Sequence, residues 1–297
     1  MNDVEEIPRP STAWRTVLWI LLPLYLIASA YLLFLGESGG VIIRFGYGLF
    51  LALLVWLTNR LTRPPASEPQ AGPMNRPLLA AQLAALLLFM VLTGLNSDAV
   101  PVWSSMVAWF HYLGESVLSV AWFGGPGNAV ANPVQYFVFP FILLLLLGAR
   151  PSELGLGPGT KVWRASLLWL AVPVVAGLAL LATGSVTAQT LARRIIGNSF
   201  QNGFFEEFLF RGALLTRLRK LFSVPWTLTI QALLFGLWHL RGNTLSMDGN
   251  LVAGLALCLV SQAVAGFAFG YLFHRTGNLV APSVAHVGMN VLGQSFG

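Results

Sequence analysis

Residues 204–212 read Phe-Phe-Glu-Glu-Phe-Leu-Phe-Arg-Gly. The stretch sets Glu206, Glu207 and Arg211 inside an apolar run that otherwise has the character of a membrane-spanning helix. Each charge at the centre of a bilayer costs about 2.5 to 3.5 kcal/mol on insertion scales, so three of them in one run point to a function. At 3.6 residues per turn, Glu207 and Arg211 stand at i and i+4 and can pair on one face, whereas Glu206 is rotated about 100° from Glu207. Arg211 therefore neutralises Glu207 more readily than Glu206, and Glu206 is read as the free, reactive carboxylate.

The rest of the composition fits a membrane setting. Charged residues are 9% of the chain, where soluble domains carry about 25%; hydrophobic residues are 56% and mean hydropathy is +0.72. This is the profile of an all-α polytopic membrane protein. The net charge of +6 comes from basic residues scattered over short loops, which is what orientation in a membrane requires, and nucleic acid is not expected as a partner. The single cysteine, Cys258, lies in an apolar run and is assigned to core packing. Asp3, Glu5 and Glu6 precede a first apolar run of full spanning length, unlike a cleaved signal peptide, and the first helix is expected to be retained.

Apolar runs of spanning length fall at 16–34, 41–58, 78–95, 133–148, 165–183, 200–216, 224–240, 251–273 and 279–296, nine in all. A tenth candidate, 102–123, carries His111 and Glu115 and is richer in small and polar residues. With nine spans and a cytoplasmic N-terminus, twelve of the seventeen Lys and Arg fall on the cytoplasmic side, among them Arg9, Arg63, Arg150, Arg217 and Arg275. A tenth span moves two basic clusters outside, so nine is preferred to ten. The Pro- and Gly-containing loop 60–77 sets off the first two helices, and a second break, 150–161, divides the chain into 1–149 and 150–297. The polar intramembrane residues of interest all follow that second break.

Two later stretches can join Glu206. Phe235-Gly236-Leu237-Trp238-His239 puts a histidine near a helix end with Phe235 one turn earlier, and His286-Val287-Gly288-Met289-Asn290 aligns a histidine and an amide on one face of the last helix. Facing lipid, these groups would be costly; they are expected to face each other across a bundle interior or a water-filled cavity. Taken singly, His239 reads as an interfacial residue, His286 with Asn290 as helix–helix hydrogen bonding, and Glu207 with Arg211 as structural pairing. Taken together, three helices each present a group able to handle a proton or a water. His111 with Glu115 reads as a solvated helix face, His274 as a loop residue, and Trp103, Trp109 and Trp122 as interfacial.

EExxxR followed by Gly, then FxxxH, then HxxxN, on successive hydrophobic helices, resembles the CPBP family of intramembrane proteases, which includes the CAAX prenyl endopeptidases and bacterial relatives linked to bacteriocin processing or immunity. The resemblance covers roughly 164–296 and implies a CPBP-like helical bundle in 150–297, with the helices of 1–149 of unassigned role. It further implies that Glu206 is a general base activating a water with the help of His239. His286 and Asn290 would stabilise the oxyanion, and Glu207 and Arg211 would hold the site in shape. Phe235 belongs to the same motif set. The implied substrate is a membrane-associated protein or peptide, and the implied location is a bacterial inner membrane.

Glu206, His239 and His286 would supply three donors for an open zinc site. Neither HExxH nor its inverse is present, however, and a glutamate and histidine site can activate water without metal. The glutamate-type mechanism is preferred. Two other functions compete: a proton-coupled transporter, against which stands the lack of repeat symmetry, and a non-catalytic immunity or binding protein of the same fold. The nine-span topology places Glu206 and His239 in the non-cytoplasmic half of the membrane.

Overall fold

In the computed structural model the described residues are 12–62, 75–94 and 100–296. Asp3, Glu5, Glu6, Arg9, Arg63 and most of the 60–77 loop lie outside them. Among the described residues every regular element is helical. In chain order they are α1 (Thr12–Phe34), α2 (Ser38–Leu61), α3 (Arg76–Gly94), α4 (Pro101–Val117), α5 (Pro126–Leu146), α6 (Val162–Ala182), α7 (188–218), α8 (Val224–Trp238), α9 (Leu240–Ser246), α10 (Leu251–Thr276) and α11 (Val280–Phe296).

Six of these, α1, α2, α3, α5, α6 and α10, are long and apolar enough to cross a membrane. The other three runs expected to span are shorter or interrupted: α8 has 15 residues, α11 has 17, and 200–216 lies within α7, whose winding changes along its length. The region 102–123 is not one helix: α4 stops at Val117, Leu118 is extended, and only the single turn Val120–Phe123 follows. Large apolar side chains such as Trp19, Ile43, Leu167 and Val175 are exposed on the outside of the bundle, the surface a bilayer covers.

Two devices set the register of the polar helices. Asn250 accepts hydrogen bonds from the backbone N–H of Val252 and Ala253, each at 3.1 Å, and so starts α10. Gly277, at φ +65°, ends it in the left-handed conformation that glycine takes without a Cβ penalty. Thr187 opens α7 in the same manner as Asn250, through Thr190.

Helices before and after residue 149 pack as one bundle. Trp169 Nε1 donates to Thr58 Oγ1 at 2.9 Å, Arg275 Nε donates to Thr62 Oγ1 at 2.9 Å, and α2 packs along α10. The 150–161 break is not a free linker. Its turn Pro151–Leu154 docks under α7, with Leu154 fully buried. A Cβ at Gly212 would lie 2.6 Å from the Leu154 carbonyl oxygen, so the close approach requires glycine there.

Several sequence readings change in this packing. Arg217, counted among the basic residues of the cytoplasmic side, is fully buried and donates to Gln82 Oε1 at 3.2 Å, with Glu153 Oε2 3.6 Å away. Trp103, expected at an interface, is buried against Phe89 and Phe139, because α4 folds back onto the bundle. His274, expected in a loop, occupies the last turn of α10, which runs on to Thr276. Glu115, read with His111 as a solvated helix face, is exposed as that reading has it, and it also accepts the Gly127 backbone N–H at 3.0 Å at the start of α5.

Candidate active site

The catalytic-type residues gather where α7, α8, α10 and α11 meet. Within α7 a four-residue α-helical segment, Phe204–Glu207, is flanked by two wide-wound π segments, Ser199–Gly203 and Phe208–Leu215. Such departures from regular winding recur at functional sites, since they re-aim side chains without ending the helix. The adjacent carboxylates diverge accordingly. Glu207 is fully buried and its Oε1 lies 3.0 Å from Arg211 Nη1. Glu206 is 5% exposed and faces a cavity.

Glu207 also meets α11. His286 Nδ1 lies 2.8 Å from Glu207 Oε1, and the carboxylate makes the imidazole the donor. That bond fixes the ring and turns Nε2 towards Glu206 Oε2, 3.9 Å away. At the end of α8, His239 Nδ1 lies 2.8 Å from the Phe235 carbonyl oxygen, which can only accept, so this ring also donates from Nδ1. Its Nε2 then points to the same Glu206 Oε2 at 4.0 Å. Both imidazoles thus present Nε2 to one carboxylate oxygen, and that oxygen is buried with no hydrogen-bond partner among the described residues. The separations are too long for direct hydrogen bonds and of the size that a bridging water spans.

Phe235 is the spacer of the cluster. Its ring lies 4.8 Å from that of His239 and 6.1 Å from that of His286, and the Arg211 guanidinium carbon sits 4.5 Å above it. Arg211 Nη2 further donates to the Gly266 carbonyl oxygen at 3.2 Å, so α10 holds the cation in place as well. Phe269 stacks on His286, with centroids 5.2 Å apart.

The cavity beside Glu206 has a volume of about 450 Å³ and is lined by His239, His286 and Asn290 together with Tyr47, Asn202 and Gln262. All seven residues singled out from the sequence are therefore in this cluster or directly behind it. Tyr47, Asn202 and Gln262 were missed. Tyr47 belongs to α2, in the half of the chain where no chemistry was expected, and a tyrosine in an apolar span carries no sequence signal separating it from an interfacial one. The Trp238 side chain also borders the cavity; its Nε1 donates to Thr93 Oγ1 at 2.8 Å and ties the His239 end of α8 to α3.

Glu206, His239 and His286 are the donors available to a metal ion. Tetrahedral zinc, about 2.0 to 2.1 Å from each ligand, sets its donors roughly 3.3 Å apart. The 3.9 and 4.0 Å separations exceed this, and among the described residues no group of three or more His, Cys, Asp or Glu has metal-holding geometry. The three side chains do not fit zinc as they stand.

Residues 188–292 match the family model described as type II CAAX prenyl endopeptidase Rce1-like. The match takes in α7 to α10, most of α11 and every one of the seven residues, and leaves the first 187 residues outside it. No curated protein and no solved structure matches the chain.

Proposed function

We propose, from the match of residues 188–292 to the type II CAAX prenyl endopeptidase Rce1-like model, that the chain is an intramembrane endopeptidase in which Glu206 activates the water that attacks a peptide bond of a membrane-anchored protein or peptide. The observation that carries this reading is the convergence of His239 Nε2 and His286 Nε2 on Glu206 Oε2, which has no hydrogen-bond partner among the described residues, inside an open cavity.

In this reading the buried charges decide the division of labour. The proposed chemistry uses a proton on His286 Nε2, so that the two carboxylates, Glu206 and Glu207, face two cations, Arg211 and the His286 imidazolium. Three acceptors around one water would also exceed its two protons, so one imidazole serves better as a donor. Glu206 takes a proton from the water held between it and the His239 Nε2 lone pair, and the resulting hydroxide adds to the carbonyl carbon. Negative charge on the carbonyl oxygen is met by His286 Nε2–H and the Asn290 amide. Glu206 then returns the proton to the leaving amine as the C–N bond breaks. Glu207 and Arg211 act by positioning His286.

The helices of 1–149 are assigned a supporting role to the catalytic 150–297, with Tyr47 as their contribution to the cavity. Nine spans with a cytoplasmic N-terminus, in a bacterial inner membrane, would put the site in the non-cytoplasmic half. A reporter fused after residue 296 checks this, since a cytoplasmic C-terminus contradicts it.

The deciding experiment compares intact protein with Glu206→Gln. Each is purified in detergent, given the membrane proteome of its host, and scored for new termini by mass spectrometry with and without a chelator. The expected result is new termini from the intact protein alone, undiminished by chelation. Equal termini from both proteins, or none from either, overturn the reading. Loss on chelation would reassign Glu206, His239 and His286 to a metal.

A further inference from the structure

A second cavity, of about 470 Å³, opens where the 123–125 turn meets the first half of α7. Arg193, Arg194 and Thr190 line it together with the amides of Asn198, Gln201 and Gln294, with no carboxylate among the described residues that line it. The turn is built close to these groups. Gly124, at φ +72°, is placed so that a Cβ would lie 3.4 Å from Arg193 Nε, and a Cβ at Gly125 would lie 3.4 Å from Gln201 Nε2. Gln201 Nε2 donates to the Phe123 carbonyl oxygen at 2.7 Å, which fixes the turn against α7.

Around this basic cavity the surface is apolar. Val120, Trp122, Ile195 and Phe200 are 54%, 48%, 45% and 48% exposed, far above what a soluble surface needs, and the Phe123 and Phe200 rings meet edge to face at 5.6 Å. The segment Ala188–Asn198 places its two arginines among Leu191, Ile195 and Ile196, the pattern of a helix lying at a membrane interface. Two guanidiniums suit a phosphate, which they grip with paired N–H donors. A peptide carboxylate could also meet the arginines but would leave Trp122 and Phe200 uncovered, whereas acyl chains leaving a bound headgroup would run across them.

We propose that this cavity binds the phosphate of an anionic phospholipid, with Arg193 and Arg194 holding the headgroup and Trp122, Ile195 and Phe200 receiving the acyl chains. The site is independent of the peptidase reading, although Asn202 lines both cavities and joins the two along α7.

The test uses the full chain in detergent, offered equal amounts of phosphatidylglycerol and phosphatidylcholine and examined by native mass spectrometry. Intact protein is expected to retain phosphatidylglycerol about tenfold over phosphatidylcholine, and Arg193→Gln with Arg194→Gln to abolish the preference. Arg193 is exposed, so Arg193→Gln alone tests the site without disturbing the fold. Arg76→Gln with Arg150→Gln makes the same charge change at the far end of α5, about 31 Å away by helix rise, and is expected to keep the preference. Equal retention of the two lipids, or a preference that survives the Arg193 and Arg194 double change, overturns the proposal. So does thermal stabilisation by inorganic phosphate equal to that by phosphatidylglycerol, which would make the site one for a free anion.

Discussion

His286 Nδ1 donates to Glu207 Oε1 at 2.8 Å, and this bond joins the last helix of the bundle to the same carboxylate oxygen that pairs with Arg211. Glu207 thus does more than neutralise its i+4 neighbour. It decides which nitrogen of His286 faces Glu206, and the site depends on it twice.

Glu207→Gln is expected to lower stability by about 3 kcal/mol or more, because it leaves the fully buried Arg211 without its counter-charge. Glu206→Gln, which removes a carboxylate that makes no direct hydrogen bond at Oε2 among the described residues and leaves His286 free to give up its Nε2 proton, is expected to cost less stability than Glu207→Gln. Thermal unfolding of both variants in detergent checks the contrast; equal losses would contradict it.

Asn290→Ala is expected to reduce turnover of a cleaved peptide by about 10² to 10³, the effect of removing one oxyanion donor, with little change in KM. Steady-state kinetics on a peptide recovered from the new-termini experiment provides the measurement. A change confined to KM would make Asn290 a binding residue instead.

Thr93→Val and Trp238→Phe each remove one side of the 2.8 Å bond between α3 and the His239 end of α8. A double-mutant cycle on unfolding free energy is expected to show coupling of about 1 kcal/mol. Absence of coupling would mean that α3 does not hold this end of α8 in place.

Gly212→Ala places a methyl 2.6 Å from the Leu154 carbonyl oxygen and is expected to destabilise by about 1 to 3 kcal/mol, the range for overpacking a filled core. Because Leu154 belongs to the 150–161 turn, the same variant is expected to increase proteolysis within that turn. A protein as stable and as protease-resistant as the original would show that the turn is not anchored on α7.

Helical periodicity is local, and what it governs was legible in the sequence. The membrane class, the Glu207 and Arg211 pair at i and i+4, the placing of Phe235 one turn from His239, and the membership of the polar cluster all follow from residue type and spacing along single helices. Contacts between helices far apart in the chain depend on how each one rotates and tilts when it packs, and spacing carries no record of that. Only the tertiary structure turned both Nε2 atoms onto Glu206, shared Glu207 between Arg211 and His286, and brought Tyr47 from α2 into the cavity. It likewise buried Arg217 beside Gln82 and broke α7 into segments of different winding, because the cost of an unpaired polar group in an apolar bundle is settled by neighbours that the local sequence does not contain.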